Sequence, residues 1–185
     1  MKTTSALFLS AVALAAAQSA AADNDRGFNR LGANLVGYEE TPSTLSTTGN
    51  GRFDARIRND DSEIVYRLTY NDLEGGVQQA HIHLGQRATS GGIVVFLCTN
   101  LGNGPAGLQG SQPCPPAPGT VTGTITAVDV TPNPGAVLQG IDPNEFAELV
   151  RAIRAGAAYV NVHTTKWPGG EIRDQIGRGS SHGHD

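Results

Sequence analysis

From Leu31 onward, apolar and polar positions alternate in short runs with a period of two. Phe53, Ala55 and Ile57 alternate with Arg52, Asp54, Arg56 and Arg58, the pattern of a half-buried strand. Asn59-Asp60-Asp61-Ser62 is turn chemistry, after which Ile64, Tyr66, Leu68 and Tyr70 resume the alternation, so the two runs predict a β-hairpin. A third run places Ala80, Ile82 and Leu84 on one face. Ile93 to Leu97 is continuously apolar, as a strand buried on both sides is. The Thr- and Val-rich run Thr120 to Val130 predicts another strand, with Gly123 a bulge position. Ala158 to Thr164 and Glu171 to Ile176 supply the last two.

The period changes once. Phe146, Leu149, Val150 and Ile153 fall at i, i+3, i+4 and i+7, an apolar stripe on a helix. Asp142-Pro143-Asn144-Glu145 predicts its start, with Asp142 as N-cap, Pro143 at the first position and Glu145 closing a capping box; Gly156 predicts its stop. About eight short strands and one short helix in the C-terminal third, separated by Gly and Pro turns, predict an all-β fold, an antiparallel Greek-key-like β-sandwich. Gly102 to Gly119, with 10 Gly or Pro in 18 residues, reads as a long loop.

The ends differ from this pattern. Lys2, the apolar run Ala6 to Ala17 and Ala20-Ala21-Ala22 form the outline of a secretory signal peptide over residues 1–22, too short to span a bilayer. Residues 23–30 read as a linker, 31–176 as the domain and 177–185 as a disordered tail. The expected location is therefore extracytoplasmic, secreted or periplasmic, with no membrane span in the mature chain. In an oxidising compartment, two cysteines around a Gly/Pro-rich loop, here Cys98 and Cys114, most often form a disulfide. A thiolate metal or redox pair is the rival, without a Cys-x-x-Cys spacing to favour it. The net charge of −4 and pI near 5.7 leave no basic footprint for nucleic acid.

The chemistry gathers on histidines. On a strand, His81 and His83 share the face opposite Ala80, Ile82 and Leu84. By the same alternation Val160 and Val162 face the core, while Tyr159, Asn161 and His163 project to the other side. If the two strands are neighbours, three imidazoles converge. Such a set suits copper or zinc better than calcium or magnesium, and three ligands leave a coordination position open. Ordinary polar-face histidines are the plainer reading. His182-Gly183-His184 in the tail offers only loose metal capture. Glu39 and Glu40 read as a solvated strand edge. Glu171 and Arg173, at i, i+2, read as an ion pair or backbone clamp, and Trp167 as an aromatic plug in a turn. Tyr159, Asn161, Glu171 and Arg173 are the candidates for supporting the histidines. No nucleophile elbow or phosphate loop is present, and no catalytic residue is assigned.

Five motifs in order carry a family resemblance: Gly-Tyr-Glu-Glu-Thr-Pro at 37–42, Ala-His-Ile-His-Leu-Gly at 80–85, Gly-Ile-Val-Val at 92–95, Tyr-Val-Asn-Val-His-Thr at 159–164 and Gly-Glu-Ile-Arg at 170–173. Together they resemble the CHRD domain, named for chordin and found alone in secreted bacterial proteins, over about residues 31–176. The resemblance implies an extracytoplasmic β-sandwich and carries its candidate site onto His81, His83 and His163. Asp174 departs from the family pattern, where Gly often precedes Gln. A His-x-His with a lone late histidine is also similar to copper-zinc superoxide dismutase, but no histidine lies between His83 and His163 to bridge two metals.

Three functions follow as expectations. The first is a secreted binding module holding one copper or zinc ion through His81, His83 and His163, with enzymatic activity left open. The second is a dismutase-like copper redox enzyme. The third is a metal-free domain whose partner is an extracellular protein.

Overall fold

The computed structural model describes residues 29–179; the segment expected as a signal peptide (1–22), most of the expected linker and the His182/His184 tail lie outside them. Among the described residues nine strands form the architecture: β1 (Arg30–Val36), β2 (Asn50–Ile57), β3 (Ile64–Asn71), β4 (Val77–Leu84), β5 (Ile93–Thr99), β6 (Gly119–Ile125), β7 (Ala158–Thr164), β8 (Ile172–Gln175) and β9 (Gly177–Arg178). All the pairings are antiparallel and belong to one sheet, in the order β5-β4-β7-β8-β1-β2-β3-β6, with β9 added beside β1.

The fold is all-β, as expected, but the strands do not separate into two independently bonded sheets. β1 pairs with β2 on one side and with β8 and β9 on the other, which joins the two halves. The sheet curls into a nearly closed barrel whose open seam lies between β5 and β6. Side chains span that seam: Tyr66 Oη donates to Leu97 O at 3.2 Å, and Gln112 Nε2 lies 3.1 Å from Leu97 O and 3.2 Å from Thr122 O. The Cys98–Cys114 disulfide ties β5 to the Gly/Pro-rich loop leading into β6.

The period-two runs bury the faces they predict. Leu31, Ala33 and Leu35 of β1, Phe53 and Ile57 of β2, and Ile64, Tyr66, Leu68 and Tyr70 of β3 line one core with Ala80, Ile82, Val160, Val162 and Ile172. Among the described residues two α-helices accompany the sheet, where one was expected. The short α1 (Pro134–Leu138) is capped by Asn133, whose side chain accepts from Ala136 N. The apolar stripe of α2 (Phe146–Arg154) enters the same core. α2 starts later than the Asp142 signal predicts. Glu145 does reach back to Asp142 N at 2.9 Å, but Asn144 adopts a left-handed φ of 68°, so Glu145 becomes the N-cap.

Three further expectations change. Gly123 keeps regular register opposite Tyr66 and forms no bulge. The run to Val130 stops as a strand at Ile125, because Thr126 and Asp129 cap a 3-10 turn over Ala127–Asp129. Gly177 and Arg178 are strand β9, not tail.

Candidate metal centre

The register of β4 on β7 sets the site. Gln79 lies opposite His163, His81 opposite Asn161 and His83 opposite Tyr159; on the far side of β7, Arg173 of β8 faces Asn161. His81 and His83 therefore stand two residues apart on one face, with His163 on the diagonal from His81. The shifts between β4 and β5 fall between Ala80 and His81 and between Ile82 and His83, where irregular pairing alters how adjacent side chains are aimed. The ligand atoms of His81, His83 and His163 all lie within 4.8 Å of one another.

These histidines point away from the barrel core, as the alternation predicts, yet they are buried. His81 is fully enclosed, and His83 and His163 are each 7% exposed. The Phe96 ring meets His81 edge-on at 4.5 Å, and Tyr159 stacks on His83 at 4.7 Å with Arg173 over its other face at 3.4 Å. Arg173 also donates to the carbonyls of Gln86 and Thr89 and to Thr41 Oγ1, so one guanidinium pins two loops beside the stack.

Hydrogen bonding fixes the tautomers of two rings. A carbonyl only accepts, so His83 Nδ1–H donates to Gly91 O at 3.0 Å and His163 Nδ1–H to Pro168 O at 2.9 Å. Burial keeps all three rings neutral near pH 7. It pushes His83 down to about 4 and holds His163 below the usual imidazole range; His81 is held well below it by burial and then by the repulsion between its proton and one on His163 or His83. Neutral His83 and His163 thus each carry a lone pair at Nε2.

Those lone pairs are poorly satisfied. His83 Nε2 is buried with no partner, as is His81 Nε2. His163 Nε2 faces His81 Nδ1 at 3.3 Å and Asn161 Oδ1 at 3.0 Å. A proton on His81 Nδ1 answers the first contact. The second brings two acceptors together, which either a turned Asn161 amide or a shared cation relieves. Histidines with one nitrogen donating to a backbone carbonyl and the other left bare have the arrangement of metal ligands held by their outer shell.

The other candidates sort by their contacts. Tyr159, Asn161 and Arg173 adjoin the cluster. Glu171 is fully buried but bonded elsewhere: Thr47 Oγ1 and Glu74 N donate to its Oε1, and Thr164 Oγ1 to its Oε2, each at 2.7 Å. It clamps loops together and makes no ion pair with Arg173 among the described residues. At the 165–170 turn the Pro168 carbonyl, not the Trp167 ring, reaches His163. Glu40 is not a solvated edge: it is 5% exposed, its Oε1 has no partner, and burial raises its carboxyl to about 7 although the charge of Arg173 pulls it back. Nothing in the strand pattern signals Glu40, Gly91 or Pro168, because turns bring them to the site.

The family model of the CHRD domain matches residues 31–176, most of the chain. The chain belongs to the CHRD domain family. Comparisons with curated proteins and with solved structures returned no match. All three histidines, the two strands that carry them and the turn containing Pro168 fall within the CHRD region. Among the described residues, no helix is long and apolar enough to cross a membrane.

Proposed function

We propose that this CHRD domain is an exported binding module that holds a single copper or zinc ion through His81, His83 and His163. The observation that carries the reading is the pair of Nδ1–H bonds to Gly91 and Pro168, which leaves two neutral Nε2 lone pairs facing into one buried cluster. The donor chemistry fits. Two nitrogens of a tetrahedral ion with bonds of 2.0–2.1 Å lie about 3.3 Å apart, and His81 Nδ1 and His163 Nε2 are separated by 3.3 Å. Neutral imidazoles favour copper and zinc over harder cations. The disulfide accords with export, since such bonds persist in oxidising compartments.

Holding metal is favoured over redox turnover because no described contact joins a carboxylate to the histidines: Glu171 is engaged in clamping loops, and the buried Glu40 acts on Arg173 instead. Binding only to the folded state raises thermal stability by mass action, about 2.7 kcal/mol at a hundredfold excess over Kd. Melting curves with Cu(II) and with Zn(II), against EDTA, test this. The expected result is a rise of several degrees that His83→Gln and His163→Gln each remove. Equal melting temperatures with metal and with EDTA overturn the reading.

A further inference from the structure

The strand register builds a second surface on the opposite part of the barrel. Side chains paired across an antiparallel sheet share a face. Arg30 of β1 lies opposite Arg56 of β2, Arg56 opposite Val65 of β3, and Val65 opposite Thr124 of β6. The next row outward is Asp54, Arg67 and Thr122, and the one after it Asn34, Arg52, Thr69 and Thr120. In these three rows four arginines therefore meet one aspartate, in a chain whose net charge is −4. The aspartate is already engaged, since Arg52 Nε lies 2.8 Å and 3.0 Å from its two oxygens and Arg52 Nη2 2.6 Å from Oδ1.

Arg30, Arg56 and Arg67 remain, all exposed. Like charges directly opposite in a sheet are destabilising, so the Arg30–Arg56 pair works against the fold unless an anion joins it. The nearby acids at the β2–β3 turn are committed elsewhere: Glu63 to Arg58, Asp61 to Arg154 and Asp60 to Ser62. A shallow groove of about 850 Å³ runs over this face, lined by Arg30, Asp54, Arg56, Arg67, Thr122 and Thr124.

We propose that this outer face of β1, β2, β3 and β6 binds a linear acidic polysaccharide, with Arg30, Arg56 and Arg67 on its carboxylates and the Thr120, Thr122 and Thr124 column on its hydroxyls. The guanidinium fork matches a carboxylate bidentately. The charges are spread over three strands, which suits a repeating polymer better than a single small anion. Val65 is the one large apolar side chain in these rows, too little to insert into a bilayer. No aromatic side chain stands among them to stack a nucleic-acid base.

The test uses the full chain with EDTA present, so that metal cannot bridge protein and polymer. Sodium polygalacturonate is the probe, with neutral dextran and phosphatidylglycerol vesicles beside it. Arg30→Ser/Arg56→Ser/Arg67→Ser is compared with Arg87→Ser/Arg151→Ser/Lys166→Ser, which removes the same charge from exposed positions off this face. The expected result is polygalacturonate binding that weakens with salt and falls by about tenfold or more in the first variant only, as localised ion pairing requires. The first variant keeps or raises its melting temperature, which separates lost contact from lost fold. Absence of binding at low salt, equal loss in both variants, or binding to vesicles equal to that on polygalacturonate each overturns the proposal.

Discussion

Acid should act on this protein through two buried groups that pull in opposite directions. His83 sits at about 4 in the folded chain against 6.5 ordinarily. Below pH 6.5 the unfolded state gains a proton there that the folded state refuses, so stability falls as pH drops. Between pH 7 and 5 this one group costs about 2 kcal/mol. Glu40 behaves oppositely, at about 7 folded against 4.5 ordinarily. From pH 7 toward 4.5 the folded state holds the proton that the unfolded state lacks, and stability gains about 2 kcal/mol over the same interval. The two nearly cancel. The net slope is then set by His81 and His163, both held low, so the metal-free wild type should still weaken on acidification. Urea unfolding in EDTA at pH 7, 6 and 5 separates these contributions. Glu40→Gln should steepen the loss from pH 7 to 5 by about 2 kcal/mol and His83→Gln should lessen it by a similar amount, each shift about 1 M or more in urea midpoint. Parallel pH profiles for wild type and both variants would refute the assignment of buried, neutral His83 and Glu40.

Other predictions concern the frame around the site. Replacing Cys98 and Cys114 by Ala should lower stability by about 2–5 kcal/mol, read by chemical denaturation, because the bridge holds the loop beside the barrel seam. Gly91→Ala should unfold the protein or abolish metal-induced stabilisation in melting curves, since a Cβ there would sit 1.6 Å from Leu84 O in the loop that fixes His83. Glu171→Gln should cost about 2–3 kcal/mol by the same denaturation assay, because an amide cannot accept from Thr47, Thr164 and Glu74 together at both positions.

The alternation along β4 and β7 was enough to put His81, His83 and His163 on faces opposite Ala80, Ile82, Val160 and Val162, because a period of two survives any tertiary arrangement. Adjacency of the two strands was not legible: β4 and β7 are far apart in sequence, and nothing local dictates that His81 pairs with Asn161. Burial of the polar face was also hidden. It comes from Phe96 across an irregular stretch of β5 and from turns that bring Gly91 and Pro168 over the rings. Glu40 was misread for the same reason, since the segment around it follows a 3-10 turn and not a strand edge. The two-sheet expectation failed at β1, whose pairing on both sides merges what strand spacing alone treats as separate layers. At the helix start Asp142 and Glu145 did bond as the capping pattern suggests, but the backbone of Asn144 decided where the helix began.

The central claim is that His81, His83 and His163 form one metal-binding set. It is tested most directly by competition of the full-length chain, carrying His182→Ser and His184→Ser to silence the tail, against a chelator of known affinity for Cu(II) and Zn(II). The account predicts one ion per chain bound more tightly than about micromolar, with His81→Ala, His83→Gln and His163→Gln each abolishing that binding while remaining folded. Binding no tighter than micromolar, or tight binding that survives all three substitutions, would contradict it.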